Sequence, residues 1–250
     1  MSYSSLAHLY GCGVFTTIRI IGGEQWLWEK HWRRLQDSAA KLGIDTAAHS
    51  EYMVRRGLDE SIPDLDRLKA QKARITISDE RSSWLWSDAQ VPVPTNVSFL
   101  VSPLNTVQRP FRLGVSPHSI NSTSPIAGMK TCNYLEQIMA LDEAKARGVS
   151  EAIRLNERGR ITSACTANVF WLKHDRLYTP PLLTGCLTGT TREFVMENLD
   201  VEEVAVGIEE LQNARAIFLT SAGLGVVAVD EFDGRPLSAS GYPILDIIPK

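Results

Sequence analysis

Two stretches of this sequence carry side chains whose type and spacing suit covalent chemistry on a carbonyl compound. In "SPIAGMKTCNYLEQ", residues 124–137, Lys130 follows Pro125, Gly128 and Met129 and precedes an apolar helical pattern. A lysine held among apolar groups has its charged form disfavoured, and the neutral amine is a nucleophile able to form a Schiff base. In "LTGCLTGTTREFVMENL", Gly189, Thr190 and Thr191 stand at a helix start, where backbone N–H groups, the positive end of the helix dipole and two hydroxyls favour an anion. Taken singly, each has an ordinary counterpart: a solvated surface lysine, and a threonine N-cap after a glycine turn. Together they suit a carbonyl compound that also bears a phosphate.

The elements that must hold these groups follow from periodicity. Residues 14–28, "VFTTIRIIGGEQWLW", read as two strands joined at Gly22-Gly23, because β-branched and aromatic residues flank a pair that accepts positive φ. Next, Trp28, Trp32, Leu35, Ala39 and Leu42 recur at steps of four and three, a helix face ending at Gly43. A second helix near residues 50–60 and the strands "ARITIS" and "NVSFLVS" complete an α+β unit. Turn formers in "SPLNTVQRPFRLG" place a linker at 104–110 between a domain at 1–103 and one at 111–250. The second domain begins with a short strand and the helix "NYLEQIMALDEAKARG", whose apolar residues are Leu135, Ile138, Met139 and Leu141. It then turns mostly to strands, with short helices at "TTREFVMENL" and "GIEELQNA".

Composition narrows the function classes. A chain of 250 residues with 44% hydrophobic and 22% charged content is an ordinary soluble protein, and its net charge of -3 lacks the basic footprint of a nucleic-acid binder. Cys12, Cys132, Cys165 and Cys186 form no Cys-x-x-Cys pair and the five histidines do not cluster, so free thiols in the cytoplasm and no metal are expected. No window approaches the roughly 20 apolar residues of a membrane span.

Six segments carry a resemblance that spans nearly the whole chain. They are "YGCGVFTTIR" (10–19), "HWRRLQDS" (31–38), "AGMKTCNYLEQ" (127–137), "EAIRLNERGRITSACTANVFW" (151–171), "LYTPPLLTGCLTGTTR" (177–192) and "FLTSAGLGVVAVDEFDGRPL" (218–237). In this order they resemble the class IV, or fold-type IV, pyridoxal-phosphate enzymes: branched-chain and D-amino-acid aminotransferases and 4-amino-4-deoxychorismate lyases. The resemblance implies a two-domain α+β fold like that of D-amino-acid aminotransferase, with a small α/β N-terminal domain and a larger β-rich pseudo-barrel. It also implies pyridoxal 5'-phosphate between the domains and a homodimer.

By the same resemblance Lys130 carries the cofactor as a Schiff base and moves the substrate proton, and Arg34 binds the phosphate. Further phosphate contacts fall to Gly189, Thr190, Thr191, Ser221 and Ala222. Tyr134 approaches the pyridine hydroxyl, Leu187 packs on the ring, and Tyr10 and Phe15 line the substrate pocket. Ser163 stands where most relatives have the glutamate that keeps the pyridine nitrogen protonated. A serine leaves a weaker electron sink, which favours elimination over transamination. Two aminotransferase features are replaced, an Arg-x-His pair by Arg81, Ser82 and Ser83, and an aromatic-x-Arg strand by Lys72, Ala73 and Arg74. Cys12 and Thr16 replace two acids of the usual "GDGxFET".

These details point to a lyase that converts 4-amino-4-deoxychorismate to 4-aminobenzoate and pyruvate, a step towards folate. The alternatives are an aminotransferase acting on a branched-chain or D-amino acid and, third, a non-catalytic cofactor-binding relative.

Overall fold

The computed structural model describes residues 4–62, 69–86, 94–238 and 241–248. The chain separates into two compact units. The first is Met1–Leu104 with Met129–Tyr134, and the second is Asn105–Gly128 with Leu135–Lys250. The assignment of residues 129–134 departs from the contiguous boundary expected above: the short segment that carries Lys130 belongs to the first unit.

In the first unit a short helix, α1 (Leu6–Tyr10), is followed by β1 (Gly13–Ile21) and β2 (Glu24–Gln25), joined at Gly22 and Gly23, both with positive φ. Then come α2 (Trp28–Lys41), α3 (Glu51–Glu60), β3 (Gln71–Asp79) and β4 (Thr95–Pro103). The strands form one antiparallel sheet in the order β2-β1-β3-β4. Strand β3 alternates strictly, so Ala73, Ile75 and Ile77 join Val14, Ile18, Ile20, Trp28 and Leu35 in the core. Lys72, Arg74, Thr76 and Ser78 lie on the other face.

Because β2 pairs only with Ile20 and Ile21, the opposite end of that edge of β1 remains for another chain segment. The lysine stretch takes it. Phe15 N–H donates to Lys130 O at 2.9 Å, Cys132 N–H donates to Gly13 O at 2.8 Å, and Val14 bridges Thr131 in antiparallel fashion. This pairing across more than a hundred residues is what the linear reading of a domain boundary missed.

The second unit contains β5 (Arg112–Val115), α4 (Leu135–Ala146), β6 (Glu151–Leu155), β7 (Ile161–Ala164), β8 (Asn168–Lys173), β9 (Arg176–Thr179), α5 (Thr190–Asn198) and β10 (Val201–Glu203). It continues with α6 (Glu209–Gln212), β11 (Ala216–Ser221), β12 (Gly225–Ala228), β13 (Glu231–Phe232) and β14 (Arg235–Pro236). Two five-stranded sheets result, β10-β9-β8-β11-β12 and β14-β13-β5-β6-β7. Leu113 and Ile153 of one share a core with Val169, Trp171, Ile217 and Leu219 of the other. Phe170 and Phe218, on the reverse face of β8 and β11, pack with Val195 of α5. Helix α4 corrects the expected apolar face: it buries Ala140 and Ala144, while Leu135, Ile138 and Met139 are exposed. Small residues let this helix approach β6 closely, which larger apolar ones at those positions would prevent.

The added strand puts a steric demand on β1. A Cβ on Gly13 would lie 2.9 Å from Cys132 Sγ and 3.0 Å from Ile77 O, so a side chain there must displace the lysine segment or the adjacent strand. Gly13→Ala is expected to cost roughly 1–3 kcal/mol by overpacking, read as a lowered denaturation midpoint. A midpoint within error of the parent would mean that the segment yields freely.

Candidate active site

Strand alternation points Phe15 and Thr16 to opposite faces of β1, and each begins one half of the cluster around Lys130. On one side, Lys130 Nζ lies 4.4 Å from the Phe15 ring centroid and 4.6 Å from that of Tyr134, and it donates to Tyr134 Oη at 3.3 Å. The two rings meet edge to face at 5.1 Å. Arg74 places its guanidinium carbon 3.4 Å from the same Phe15 centroid, held by a 3.0 Å bond from Nε to Thr76 Oγ1. One aromatic ring therefore lies beside both the Arg74 guanidinium and the Lys130 amine, and the fixed charge of the first disfavours a charge on the second.

On the other side, the Thr16 hydroxyl joins two residues of α2. It accepts from Arg34 Nη2 at 2.7 Å and lies 2.6 Å from His31 Nδ1. His31 and Arg34, three residues apart on a helix, share a face. Burial, and next the charges of Arg34 and Lys130, push the His31 pKa well below its usual value, leaving the imidazole neutral around pH 7. Burial, followed by the charges of Arg34 and Arg74, lowers Lys130 from 10.5 to about 7. Much of its population at neutral pH is thus the nucleophilic free amine.

Within the second unit, Gly189 caps α5, and a Cβ there would collide with Asn168 Oδ1. Asn168 Nδ2 in turn donates to Leu187 O at 2.9 Å, fixing the approach to the helix. Thr190 and Thr191 are buried, and the Thr191 hydroxyl has no hydrogen-bond partner among the described residues. Thr220, the register partner of Asn168, is also buried with its hydroxyl unpartnered, and Ser221 follows it at the end of β11. The Ser221 hydroxyl accepts from Leu224 N at 3.2 Å, and Ala222 is buried beside it. Ser163 stands on β7 opposite Arg154 of β6.

The structure thus gathers Arg34, Lys130, Tyr134 and Phe15 into one cluster, and Leu187, Gly189, Thr190 and Thr191 around Asn168. Tyr10 is instead placed with the loop after β3, its hydroxyl accepting from Trp86 Nε1 at 2.9 Å and from Ser83 Oγ at 3.3 Å. Arg74, Thr16, His31 and Asn168 are cluster residues to which the sequence reading gave no role. The spacing of His31 and Arg34 and the polar face of β3 were the available signals.

The sequence matches the class IV aminotransferase family over residues 13–232. The chain belongs to that family. It is 30% identical over 228 residues to an aminodeoxychorismate lyase of Bacillus subtilis, covering 88% of this chain and 77% of the relative. It is 29% identical over 242 residues to a D-alanine aminotransferase of Bacillus licheniformis, covering 94% and 83%. An aminotransferase from Brucella abortus bound to pyridoxal phosphate superimposes with a TM-score of 0.83 at 25% identity, over 99% of this chain and 90% of that one. Members of class IV are pyridoxal-phosphate enzymes. The residues present fit that cofactor: a desolvated amine for its aldehyde, and an unpartnered buried hydroxyl at a glycine-led helix start for its phosphate.

A lysine whose pKa falls on folding makes the protein respond to pH. The folded chain binds fewer protons than the unfolded chain between about pH 7 and 10.5, so this group adds stability as pH rises through that window. The melting temperature of cofactor-free protein, relative to Lys130→Met, is expected to climb from pH 7 towards pH 10. Parallel curves would show that Lys130 keeps an ordinary pKa.

Proposed function

We propose that this class IV enzyme is a lyase that converts 4-amino-4-deoxychorismate to 4-aminobenzoate and pyruvate. The observation that carries the reading is the setting of Lys130: an amine whose pKa falls to about 7, beside a second, separately held guanidinium, Arg74. The substrate is an amine with carboxylate groups. Arg74 is suited to hold one carboxylate while Lys130 works at the amine-bearing carbon. Ser163, a neutral group where most relatives have an acid, agrees with elimination rather than transamination.

Pyridoxal phosphate, held at the site by Lys130, would supply an electron sink for the carbon that bears the substrate amine once that amine has taken the place of the lysine. Arg34, held by Thr16, would hold the phosphate from the first unit, and Thr190, Thr191, Ser221 and Ala222 would offer phosphate contacts from the second. Leu187 would pack against the ring, and Tyr134 orients the lysine from 3.3 Å. Once the substrate amine has freed Lys130, its neutral Nζ takes the proton from that carbon as general base. The carbon–oxygen bond to the enolpyruvyl group then breaks, the substrate ring becomes aromatic, and the leaving group takes up a proton to depart as pyruvate. Lys130 finally returns as the nucleophile that releases 4-aminobenzoate.

An aminotransferase acting on a D-amino acid or a branched-chain amino acid is the second reading, favoured by the likeness to the Bacillus licheniformis enzyme. The exposed Leu135, Ile138, Met139 and Leu183 suit contact with a second copy, and we propose a homodimer.

Purified protein given pyridoxal phosphate and 4-amino-4-deoxychorismate should release equal amounts of 4-aminobenzoate and pyruvate. D-alanine or L-leucine should leave the visible cofactor band in place; its loss with these amino acids would make the protein an aminotransferase. Lys130→Ala is expected to remove the band and to lower turnover by about 10²–10⁴-fold. Arg74→Leu should lower kcat/KM for the lyase substrate by about 10- to 100-fold, the worth of a charge-assisted bond. Arg34→Ala should weaken cofactor retention by about the same factor, seen in equilibrium dialysis. An Arg74→Leu variant as efficient as the parent would return that residue to a packing role.

A further inference from the structure

Arg154 is the most deeply buried arginine among the described residues, at 1% exposure, and the reaction above leaves it unused. It lies on β6 in direct register with Ser163 on β7, and residues opposite one another in an antiparallel pair project from the same face. The register then moves to Leu155 and Ile161, so Thr162 is an extra residue in β7, and such bulges re-aim the neighbouring side chains. Arg154 Nε donates to His118 O at 3.1 Å and Nη2 to Ser119 O at 2.8 Å, while Nη1 is buried with no hydrogen-bond partner. Its ion-pair partner is Glu136, 3.7 Å away, whose side chain is 77% exposed and therefore well screened. Two neutral carbonyls and one solvated carboxylate leave a positive field on the face that Ser163 shares.

We propose that Arg154 is a positioning residue that keeps the pyridine nitrogen of the bound cofactor unprotonated, with the Ser163 hydroxyl donating to the nitrogen lone pair. This rests on the reading of Ser163 as the residue that meets that nitrogen. The guanidinium opposes a second positive charge nearby, and the hydroxyl stabilises the neutral nitrogen that remains. The two residues act as a pair. A carboxylate introduced at position 163 alone would be taken up by Arg154 as a charge-assisted partner and could not hold a proton on the ring.

The test uses intact protein loaded with pyridoxal phosphate labelled with nitrogen-15 in the ring, with the nitrogen chemical shift followed against pH. The parent is expected to show an unprotonated nitrogen at neutral pH, and Ser163→Glu should leave it so. Ser163→Glu combined with Arg154→Met should protonate it. Arg154→Met alone should raise the nitrogen's proton affinity about tenfold, one pH unit, whereas Arg154→Lys should stay at the parent value. A protonated nitrogen in the parent, or protonation by Ser163→Glu alone, would overturn the proposal, and both remain readable if the Arg154→Met proteins fail to fold. Failure of the parent to take up the labelled cofactor would instead overturn the cofactor assignment itself, and this proposal with it.

Discussion

The candidate active site is organised around the desolvation of one amine. Lys130 is drawn against β1 by two backbone hydrogen bonds, which place its side chain on Phe15 and Tyr134 and within reach of the fields of Arg34 and Arg74. Water would stabilise the ammonium form; aromatic surface and two neighbouring cations do not. The backbone sets the position and the position sets the pKa. A lysine on a solvated helix could not be tuned in this way.

The cluster around the lysine is built by the two periodicities of regular structure. Alternation along β1 divides Phe15 from Thr16, giving one face to the amine and the other to α2. The three-residue step from His31 to Arg34 brings both of those side chains to the single hydroxyl of Thr16. In the second unit, Asn168 holds the carbonyl of Leu187 and crowds Gly189, so the start of α5 is defined before any ligand arrives. Such prior definition limits what must be ordered when an anion binds.

Much of this was legible in the sequence. The glycine pair after β1, the helix face of α2 and the strict alternation of β3 announced their elements, because each is a local pattern. Lys130 and the Gly189–Thr191 turn were readable as candidates for chemistry from their apolar and helix-start settings, whereas Arg34 was singled out only by the resemblance to the family. Local patterns misled where small residues do the packing, as in α4, whose alanines are buried in place of its larger apolar residues. They were silent on Arg74, which reads as an ordinary polar-face residue of β3 until Phe15 is seen beneath it.

By itself the sequence determined most of the elements and the family, and it singled out Lys130 as the candidate nucleophile, since these depend on residue types and short-range spacing. Only the tertiary structure decided that residues 129–134 pair with β1, that Thr16 joins His31 to Arg34, and that Arg154 lies opposite Ser163. The first two are contacts between parts of the chain well separated in sequence, and the third is set by the shifted register of the β6–β7 pair. Such a contact is settled by strand register and by which edge stays open, and neither is written in the spacing of neighbouring residues.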